Sequence, residues 1–317
     1  MSERNLLLKT ENLSISYGDI PIVRNVNISL GYGEVLGIVG ESGCGKSTLL
    51  RSLMVLNINN SVIRGQIDFD GRNLTGISKE NLRLLRGSDI SFISQNAYLS
   101  MDAAEKISHL FYETIRMHRS GIKKKQSNLK AQEWMERLLL KEPERILNSY
   151  PFELSGGMCQ RVSIAVAMIN NPKLILADEP TSALDVTAQS EVVRQMRLLR
   201  DNYQVSMVVV SHNFGVIAGL SDAIAVMYAG RIVEYGNAAE LLVTPLHPYT
   251  KALLEAIPDM NGTISQGLPG TPPAFTRDMS GCPFADRCPK YKEICRKYEP
   301  EEQKIGISHR VWCFDVP

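Results

Sequence analysis

A glycine-rich loop at residues 40–47 constrains the fold of this 317-residue chain more than any other feature of its sequence. The loop reads GESGCGKS and fits the pattern G-x-x-x-x-G-K-[ST]. The apolar run 35–39 predicts a strand before the loop, and residues 46–56 predict a helix after it. In this context backbone N–H groups surround phosphate groups, and the helix presents its positive end to the same anions. The sequence therefore predicts an α/β fold that binds a nucleotide, with Lys46 supplying positive charge and the Ser47 hydroxyl placed to ligate magnesium.

A pair of carboxylates follows the apolar run LILA at residues 174–177. Adjacent residues of an extended chain point in opposite directions, which suits Asp178 and Glu179 to different tasks. We expect Asp178 to hold the magnesium shell and Glu179 to orient or deprotonate an attacking water. The structural alternative is a charged strand end before a turn, since Asp-Glu-Pro is good turn chemistry.

Between these two motifs lies the segment LSGGMCQR at residues 154–161. It places Ser155 and two glycines at the start of a helix, where exposed N–H groups form a second anion site. Ser155 could simply be a helix N-cap, but that role does not explain the two glycines behind it.

In this order the three motifs resemble those of ATP-binding cassette (ABC) proteins, and LSGGMCQR resembles the signature of that family alone. The resemblance implies a P-loop ABC nucleotide-binding domain with a mixed sheet core, an antiparallel β subdomain and a helical subdomain. It also implies ATP and Mg²⁺ as cofactors. In the family two subunits pair head to tail, so that the signature of one closes over ATP on the other.

The resemblance also assigns roles to single residues. Gln95, after an apolar strand, resembles the glutamine that reaches magnesium, and it joins Ser47 and Asp178 as an expected ligand. His212 resembles the switch histidine at the γ-phosphate, so Glu179, His212 and Gln95 form the expected catalytic set. The positions expected to contact ATP are Tyr17, Gly40, Glu41, Ser42, Gly43, Cys44, Gly45, Lys46, Ser47, Thr48, Ser155, Gly156, Gly157, Gln160 and Asp185. Taken singly, a His or Tyr at a strand end is more often structural.

Two cysteines lie inside the nucleotide motifs. Cys44 and Cys159 each sit beside a predicted helix N-terminus, which should lower the pKa of a thiol and raise its reactivity. We therefore expect alkylation to inactivate the protein and MgATP to protect Cys44.

Changes in composition divide the chain. Residues 1–240 are expected to form the ATPase domain, with helical spacing at about 97–171 indicating an inserted helical subdomain. Residues 241–317 are rich in proline and are expected to form a small appendage without a large core of their own.

The last part of the chain resembles the C-terminal motif of oligopeptide, dipeptide and nickel importer ATPases. The resemblance rests on TPLHPYTKALLEAIP at residues 244–258 and GCPFADRCP at residues 281–289. Four cysteines there have the spacing C-x5-C-x6-C-x17-C, without the paired knuckles of structural zinc sites. These residues are Cys282, Cys288, Cys295 and Cys313. As in dipeptide-importer relatives, they are expected to hold a 4Fe–4S cluster, with zinc as the alternative, as a metal staple for a tail with little core.

The composition of the chain limits the kinds of partner that it can bind. The chain has 35 basic and 34 acidic residues, so nothing argues for nucleic acid. Without an apolar run near 18 residues or a signal peptide, we expect a peripheral protein on the cytoplasmic face of the membrane. The resemblance implies two transmembrane permease subunits, a second paralogous ATPase or a second copy, and an extracytoplasmic substrate-binding protein. Residues 95–104 depart from the usual sequence of peptide importers where a permease would dock.

The leading interpretation is the ATP-hydrolysing subunit of a di- or oligopeptide importer. Nickel or metal-chelate uptake is the nearest alternative, because those importers share the ATPase design and the lead YPFE at residues 150–153. A soluble ABC ATPase would more often carry two cassettes or coiled coils. An iron–sulfur redox enzyme gated by ATP would need a substrate site and an electron partner, and the sequence indicates neither.

Overall fold

The computed structural model describes residues 6–56, 61–256, 268–277, 279–306 and 308–316. Pro258, the end of the C-terminal motif quoted above, lies outside these ranges. The chain divides into two compact units. The first unit extends to Gly76 and resumes at Val210, and the second unit is Ile77–Val209. The domain boundary between residues 240 and 241 stays a prediction.

The helices and strands follow in chain order. Up to Gly76 they are β1 Leu6–Tyr17, β2 Ile20–Val26, β3 Ser29–Gly31, β4 Val35–Val39, α1 Lys46–Ser52, β5 Ser61–Phe69 and β6 Arg72–Asn73. In the second unit they are α2 Lys79–Leu85, β7 Ile90–Ile93, α3 Ile107–Arg116, α4 Lys124–Arg137, α5 Pro143–Asn148, α6 Gly156–Met168, β8 Leu174–Asp178 and α7 Val186–Tyr203, with β9 Ser206–Ser211 at the boundary. The rest are α8 Phe214–Leu220, β10 Ala223–Tyr228, β11 Arg231–Asn237, α9 Ala238–Val243, α10 Pro248–Glu255, α11 Glu293–Lys297, β12 Gln303–Ile305 and β13 His309–Val311.

An antiparallel sheet in the first unit matches the expected β subdomain. Its order is β2-β1-β5-β6, and β3 pairs with β1. Residues 6–17 form the single strand β1, and no glycine or proline interrupts them. The pairing of β1 with β5 shifts register between Glu11 and Ser14, and Asn12 has φ 51°. These features mark a β-bulge in the polar middle of β1.

A second sheet region in the first unit carries the glycine-rich loop. Strand β4 is buried along its whole length and pairs in parallel with β10. Strands β10 and β11 form a hairpin, in which Ala229 and Gly230 both have positive φ, as type I′ turns require. Strand β13 pairs with β11, and β12 pairs with β13. The C-terminal segment was expected to be an appendage, but its strands extend this sheet.

The second unit combines parallel strands with the predicted helices. Strands β7 and β8 are parallel, and β9 lies beside β8. Helix α6 turns Val162 and Ala165 into the core of this unit, and Ile169 directly after the helix is also buried, which follows from their helical spacing. Helix α1 ends at Ser52, earlier than the predicted residue 56, because Val55 takes a left-handed conformation. Among the described helices, we find none with the length and apolarity to span a bilayer.

Candidate functional site

The glycine-rich loop is shaped by close packing against the β10–β11 hairpin. A side chain at Gly40 would bring its Cβ within 2.1 Å of the Met227 carbonyl oxygen, so only glycine fits there. Gly45 has φ 102°, a conformation that side chains rarely adopt. The Gly230 N–H donates to the Cys44 carbonyl at 2.9 Å. Together these contacts fix the path of the loop.

Lys46 brings a buried positive charge into the loop. Its side chain is 4% exposed, and Nζ donates to the carbonyl oxygens of Gly40 and Glu41 at 2.8 Å each. Ser42 and Gly43, by contrast, are exposed. A buried ammonium beside exposed backbone is suited to a phosphate group, and the contact itself stays a prediction.

Four further predicted residues belong to the same unit. Ser47 and Thr48 lie half-buried in the first turn of α1. Tyr17 ends β1, and its backbone pairs with Ile20 and with Ser61. His212 is exposed directly after β9. Their contacts with nucleotide stay predictions.

The two carboxylates lie in the second unit, as do Gln95, the signature and Asp185. Asp178 ends β8 and is buried. Glu179 is 9% exposed and takes a left-handed backbone conformation with φ 45°. Such strain is often stored at functional positions. The Gln95 Nε2 donates to Glu179 Oε2 at 3.2 Å, so the structure brings these two predicted catalytic residues together.

The expected magnesium ligands have suitable chemistry. Magnesium prefers hard oxygen donors, which the Ser47 hydroxyl, the Asp178 carboxylate and the Gln95 amide oxygen all provide. Because the Gln95 Nε2 donates to Glu179, the amide oxygen is the Gln95 atom that could bind a cation. Ser47 belongs to the first unit and the other two residues to the second.

The signature begins helix α6 as expected. The Ser155 Oγ caps the helix by accepting from the Met158 N–H at 3.3 Å. A Cβ on Gly156 or Gly157 would meet its nearest neighbours at 3.8 and 3.7 Å, which is ordinary contact. The fold of the chain therefore does not require glycine at either position. Asp185 is likewise an N-cap, because its Oδ1 accepts from the Ala188 N–H at 2.9 Å.

Gln160 differs from the rest of the signature. It is buried on α6, whereas Ser155 and Gly156 are exposed. Its direct contact with nucleotide stays a prediction, and in this structure its side chain packs inside the second unit.

The prediction of two activated thiols was wrong. Cys44 and Cys159 are both buried, and burial raises the pKa of each. At Cys44 the charge of Lys46 opposes this effect but does not outweigh it. A thiolate is the reactive form, so these cysteines are expected to stay neutral and unreactive at neutral pH.

The structure does not support the expected metal at the four C-terminal cysteines. They do neighbour one another: burial raises the pKa of Cys282 to about 11, a hydrogen bond with the Phe284 backbone opposes this effect, and the charges of the other three cysteines add smaller increases. Across the described residues, however, no three His, Cys, Asp or Glu side chains are arranged to hold one metal ion. The spacing predicted proximity, but proximity alone does not bring the sulfur atoms together around one ion. The metal-stapled extension is therefore not supported.

One pair of contacts escaped the sequence analysis. Arg287 forms a salt bridge with Glu41 of the glycine-rich loop, and Tyr249 accepts a hydrogen bond from the Glu41 N–H. Both partners come from motifs that were already noticed, HPYT and CPFADRC, but no local pattern indicates what they touch.

Comparisons with known protein families place these features in context. Residues 23–182 match the family model described as ABC transporter. Residues 233–295 match the model described as oligopeptide/dipeptide transporter, C-terminal region.

Individual relatives match along nearly the whole chain. The oligopeptide transport ATP-binding protein OppD of Salmonella typhimurium is 38% identical over 94% of this chain and 90% of its own. The dipeptide transport ATP-binding protein DppD of Lactococcus lactis is 37% identical over 98% of this chain and 91% of its own. Among solved structures, a dimeric post-hydrolysis state of the ATP-binding cassette MJ0796 bound to ADP and Pi matches with a TM-score of 0.65 and 28% identity. That match covers 73% of this chain and 98% of the other.

Proposed function

Because the chain belongs to the ABC transporter family, we propose that it is the ATP-hydrolysing subunit of an importer for di- and oligopeptides. The match of both its ATPase region and its C-terminal region to peptide transport ATP-binding proteins, over nearly its whole length, carries this proposal. It is an ABC ATPase by family and by its likeness to a cassette that holds ADP and Pi.

Nucleotide binding is proposed to use the glycine-rich loop. Its backbone N–H groups would surround the β- and γ-phosphates, and the Lys46 ammonium would exchange its two carbonyl partners for phosphate oxygens. Tyr17 would stack on the adenine. When bound, Mg²⁺ would neutralise phosphate charge, held by Ser47, Asp178 and Gln95.

Hydrolysis is proposed to centre on Glu179. Its carboxylate would orient a water and take its proton as the water oxygen bonds to the γ-phosphorus and the bond to ADP breaks. Gln95 holds that carboxylate by a hydrogen bond of 3.2 Å. His212 would contact the γ-phosphate.

The signature is proposed to act on ATP held by a second ATPase, either a paralogue or another copy of this chain. Ser155 and Gly156 are exposed, and the space around Gly156 and Gly157 would admit a side chain. Glycines that the chain's own packing does not require are explained if a phosphate group approaches that backbone. Asp185 would communicate across the same interface.

If the signature acts in this way, a carboxylate at position 157 should lower the ATPase rate without lowering thermal stability. In Gly157→Asp, the new side chain lies at a helix N-terminus, where negative charge is favourable, so thermal stability should be unchanged or slightly higher. The ATPase rate of the assembled transporter should fall at least about tenfold, because the charge would confront a phosphate.

Gly157→Asn is the matched control for size without charge. It should retain more activity than the aspartate variant while melting at a similar temperature. Full ATPase activity in Gly157→Asp would contradict the proposed role of the signature.

A permease is proposed to dock on the second unit. A groove of about 270 Å³ there is lined by Ser94, Ser100 and Met101, next to the position of Gln95 in the chain, and by residues of α6. Leu99, beside this groove in sequence, is 76% exposed. The proposed assembly has two permeases and an extracytoplasmic binding protein, with this subunit peripheral on the cytoplasmic face. Residues 95–104 depart from the usual importer sequence, so the permease should carry a matching difference.

Two alternative functions and the metal cluster lack support. The relatives named above are peptide transport proteins, and no observation specifically favours nickel or a role outside transport. The iron–sulfur cluster and its zinc alternative lack a supporting arrangement of ligands among the described residues.

Transport by the reconstituted complex tests the proposed function. Vesicles containing the permeases, both ATPases and the binding protein should accumulate labelled di- or oligopeptide. They should do so only when ATP is present on the side of the membrane where the ATPases lie. Uptake of a nickel chelate without peptide uptake would overturn the proposed cargo. ATP hydrolysis that no permease stimulates would overturn the link to transport.

A further inference from the structure

Glu41, the second residue of the glycine-rich loop, is bound by the C-terminal segment through its side chain. Arg287 makes two parallel hydrogen bonds to the carboxylate, at 2.7 Å from Nη1 to Oε2 and 3.0 Å from Nη2 to Oε1. The Arg287 side chain is 6% exposed and that of Glu41 is 26% exposed. A bidentate and largely buried pair is stronger and more directional than a surface ion pair.

The backbone of Glu41 is held as well. Its N–H donates to the Tyr249 hydroxyl at 2.9 Å, and its carbonyl accepts from the Lys46 ammonium at 2.8 Å. Glu41 is therefore held at its carboxylate, its N–H and its carbonyl. Residues of the C-terminal segment hold the first two groups, and Lys46 holds the third.

The residues that hold Glu41 are themselves rigidly supported. Tyr249 and Phe284 are fully buried and pack with Tyr228, with ring centroids 4.6 to 5.3 Å apart. Arg287 also donates to the Tyr228 hydroxyl at 3.2 Å and to the Pro269 carbonyl at 2.8 Å. An arginine with several fixed partners loses little further entropy in holding a carboxylate.

The segment leading to Tyr249 is fixed by a buried carboxylate. Glu234 on β11 accepts from the N–H groups of Leu246 and His247, at 2.7 and 3.0 Å, and contacts His309 of β13 at 2.7 Å. Burial lowers the pKa of His247 to about 3, so its imidazole is neutral and its Nδ1 accepts from the Tyr249 N–H at 3.0 Å. The position of the tyrosine hydroxyl thus depends on several parts of the C-terminal segment.

We propose that Arg287 and Tyr249 are positioning residues, which hold the glycine-rich loop in its nucleotide-binding shape through Glu41. The C-terminal segment thereby sets the affinity of the ATPase for ATP. The inference rests on the proposed function in one respect, that this loop binds ATP.

The kinetic effect expected of such positioning residues follows from preorganisation of the loop. If only a fraction of molecules has the competent loop, the apparent Kd rises in inverse proportion to that fraction. Neither residue touches the reacting atoms in this arrangement, so the rate at saturating ATP should change little. A purely structural role would lower thermal stability without a specific effect on the KM for ATP.

The test compares full-length variants by binding of a fluorescent ATP analogue with Mg²⁺ and by ATPase kinetics of the assembled transporter. Arg287→Gln and Glu41→Gln should each raise Kd and KM by roughly 5- to 20-fold, in line with the loss of a charged hydrogen-bonded pair, with kcat within about twofold. Tyr249→Phe keeps the ring packing and removes the hydroxyl acceptor, so it should raise Kd by about two- to fivefold.

The double variant Glu41→Gln with Arg287→Gln should bind the ATP analogue no more weakly than the single variant with the higher Kd. The two single substitutions remove the same interaction, so their effects should not add. Arg296→Gln is the matched control: Arg296 and Asp286 form an exposed pair at 2.8 Å in the same segment, and its loss should leave Kd and KM unchanged.

Additive effects in the double variant, or a Kd within twofold of wild type in both Arg287→Gln and Glu41→Gln, would overturn the inference. If Arg287→Gln does not fold, Glu41→Gln and Tyr249→Phe decide by the same criteria. Failure of the wild-type chain to bind the analogue would instead overturn the proposed function and this inference with it, so the two failures are distinguishable.

Discussion

Replacing Glu179 with glutamine is expected to slow ATP hydrolysis by about 100-fold or more while MgATP still binds. General-base assistance contributes roughly 10²- to 10⁴-fold in enzymes, and the amide cannot take the proton of the attacking water. Glutamine has nearly the same shape, and its amide oxygen can still accept the hydrogen bond that Gln95 donates at 3.2 Å. Phosphate release by the assembled transporter and equilibrium binding of MgATP measure the two effects separately.

The same variant should accumulate a nucleotide-bound pair of ATPase subunits in the full complex, since closure would no longer be followed by hydrolysis. Glu80→Gln is a suitable control, because Glu80 lies on the same unit in an exposed ion pair with Arg83 at 2.8 Å. It should hydrolyse ATP within about twofold of wild type, as expected for a surface pair. Normal ATP hydrolysis by the Glu179→Gln transporter would contradict a catalytic role for Glu179. Failure to trap the nucleotide-bound pair would contradict the proposed head-to-tail pairing of two ATPase subunits.

Replacing Lys46 with methionine is expected to weaken MgATP binding by about 100-fold or more. Removing one partner of a buried charged hydrogen bond typically costs roughly 2–5 kcal/mol. Methionine keeps the length of the side chain but has no donor for a phosphate oxygen. Titration with a fluorescent ATP analogue measures the loss.

Lys46→Met should also lower the free energy of unfolding in the absence of nucleotide. The Lys46 ammonium donates to the carbonyl oxygens of Gly40 and Glu41, and the variant would leave both without that donor, at a cost of about 1–3 kcal/mol per group. Lys251→Met on the exposed side of α10 is the control, and it should change neither binding nor the melting temperature. Unaltered MgATP affinity in Lys46→Met would contradict the assignment of the loop.

Local signals predicted the elements that position the site. Strand β4 covers the predicted residues 35–39 and helix α1 begins at the predicted residue 46, because apolar runs and helical spacing are short-range patterns. The glycine-rich loop was predicted from eight consecutive residues, and the structure gives packing reasons for Gly40 and Gly45. The hydrogen bond between Gln95 and Glu179 was not predicted as such, although both residues were expected at one site.

Burial and long-range contacts could not be predicted in the same way. The low pKa expected for Cys44 and Cys159 came from their places beside helix starts, but desolvation by the surrounding core has the larger effect. The bonds from Glu41 to Arg287 and to Tyr249 span 246 and 208 positions of sequence. No periodicity connects such distant residues, so the sequence could suggest a subfamily for the C-terminal segment but not its contact with the loop.

The pairing of β13 with β11 has a consequence for any attempt to shorten the gene. Cutting the protein after residue 240 would strip the outer strands from a sheet edge, and exposed edges invite aggregation. The same cut would take away the two backbone donors and the histidine that surround Glu234, stranding a carboxylate in an apolar interior. The ATPase region therefore depends on its C-terminal segment for a covered sheet edge and a paired carboxylate, and we expect an exchange of the segment alone to destabilise the protein.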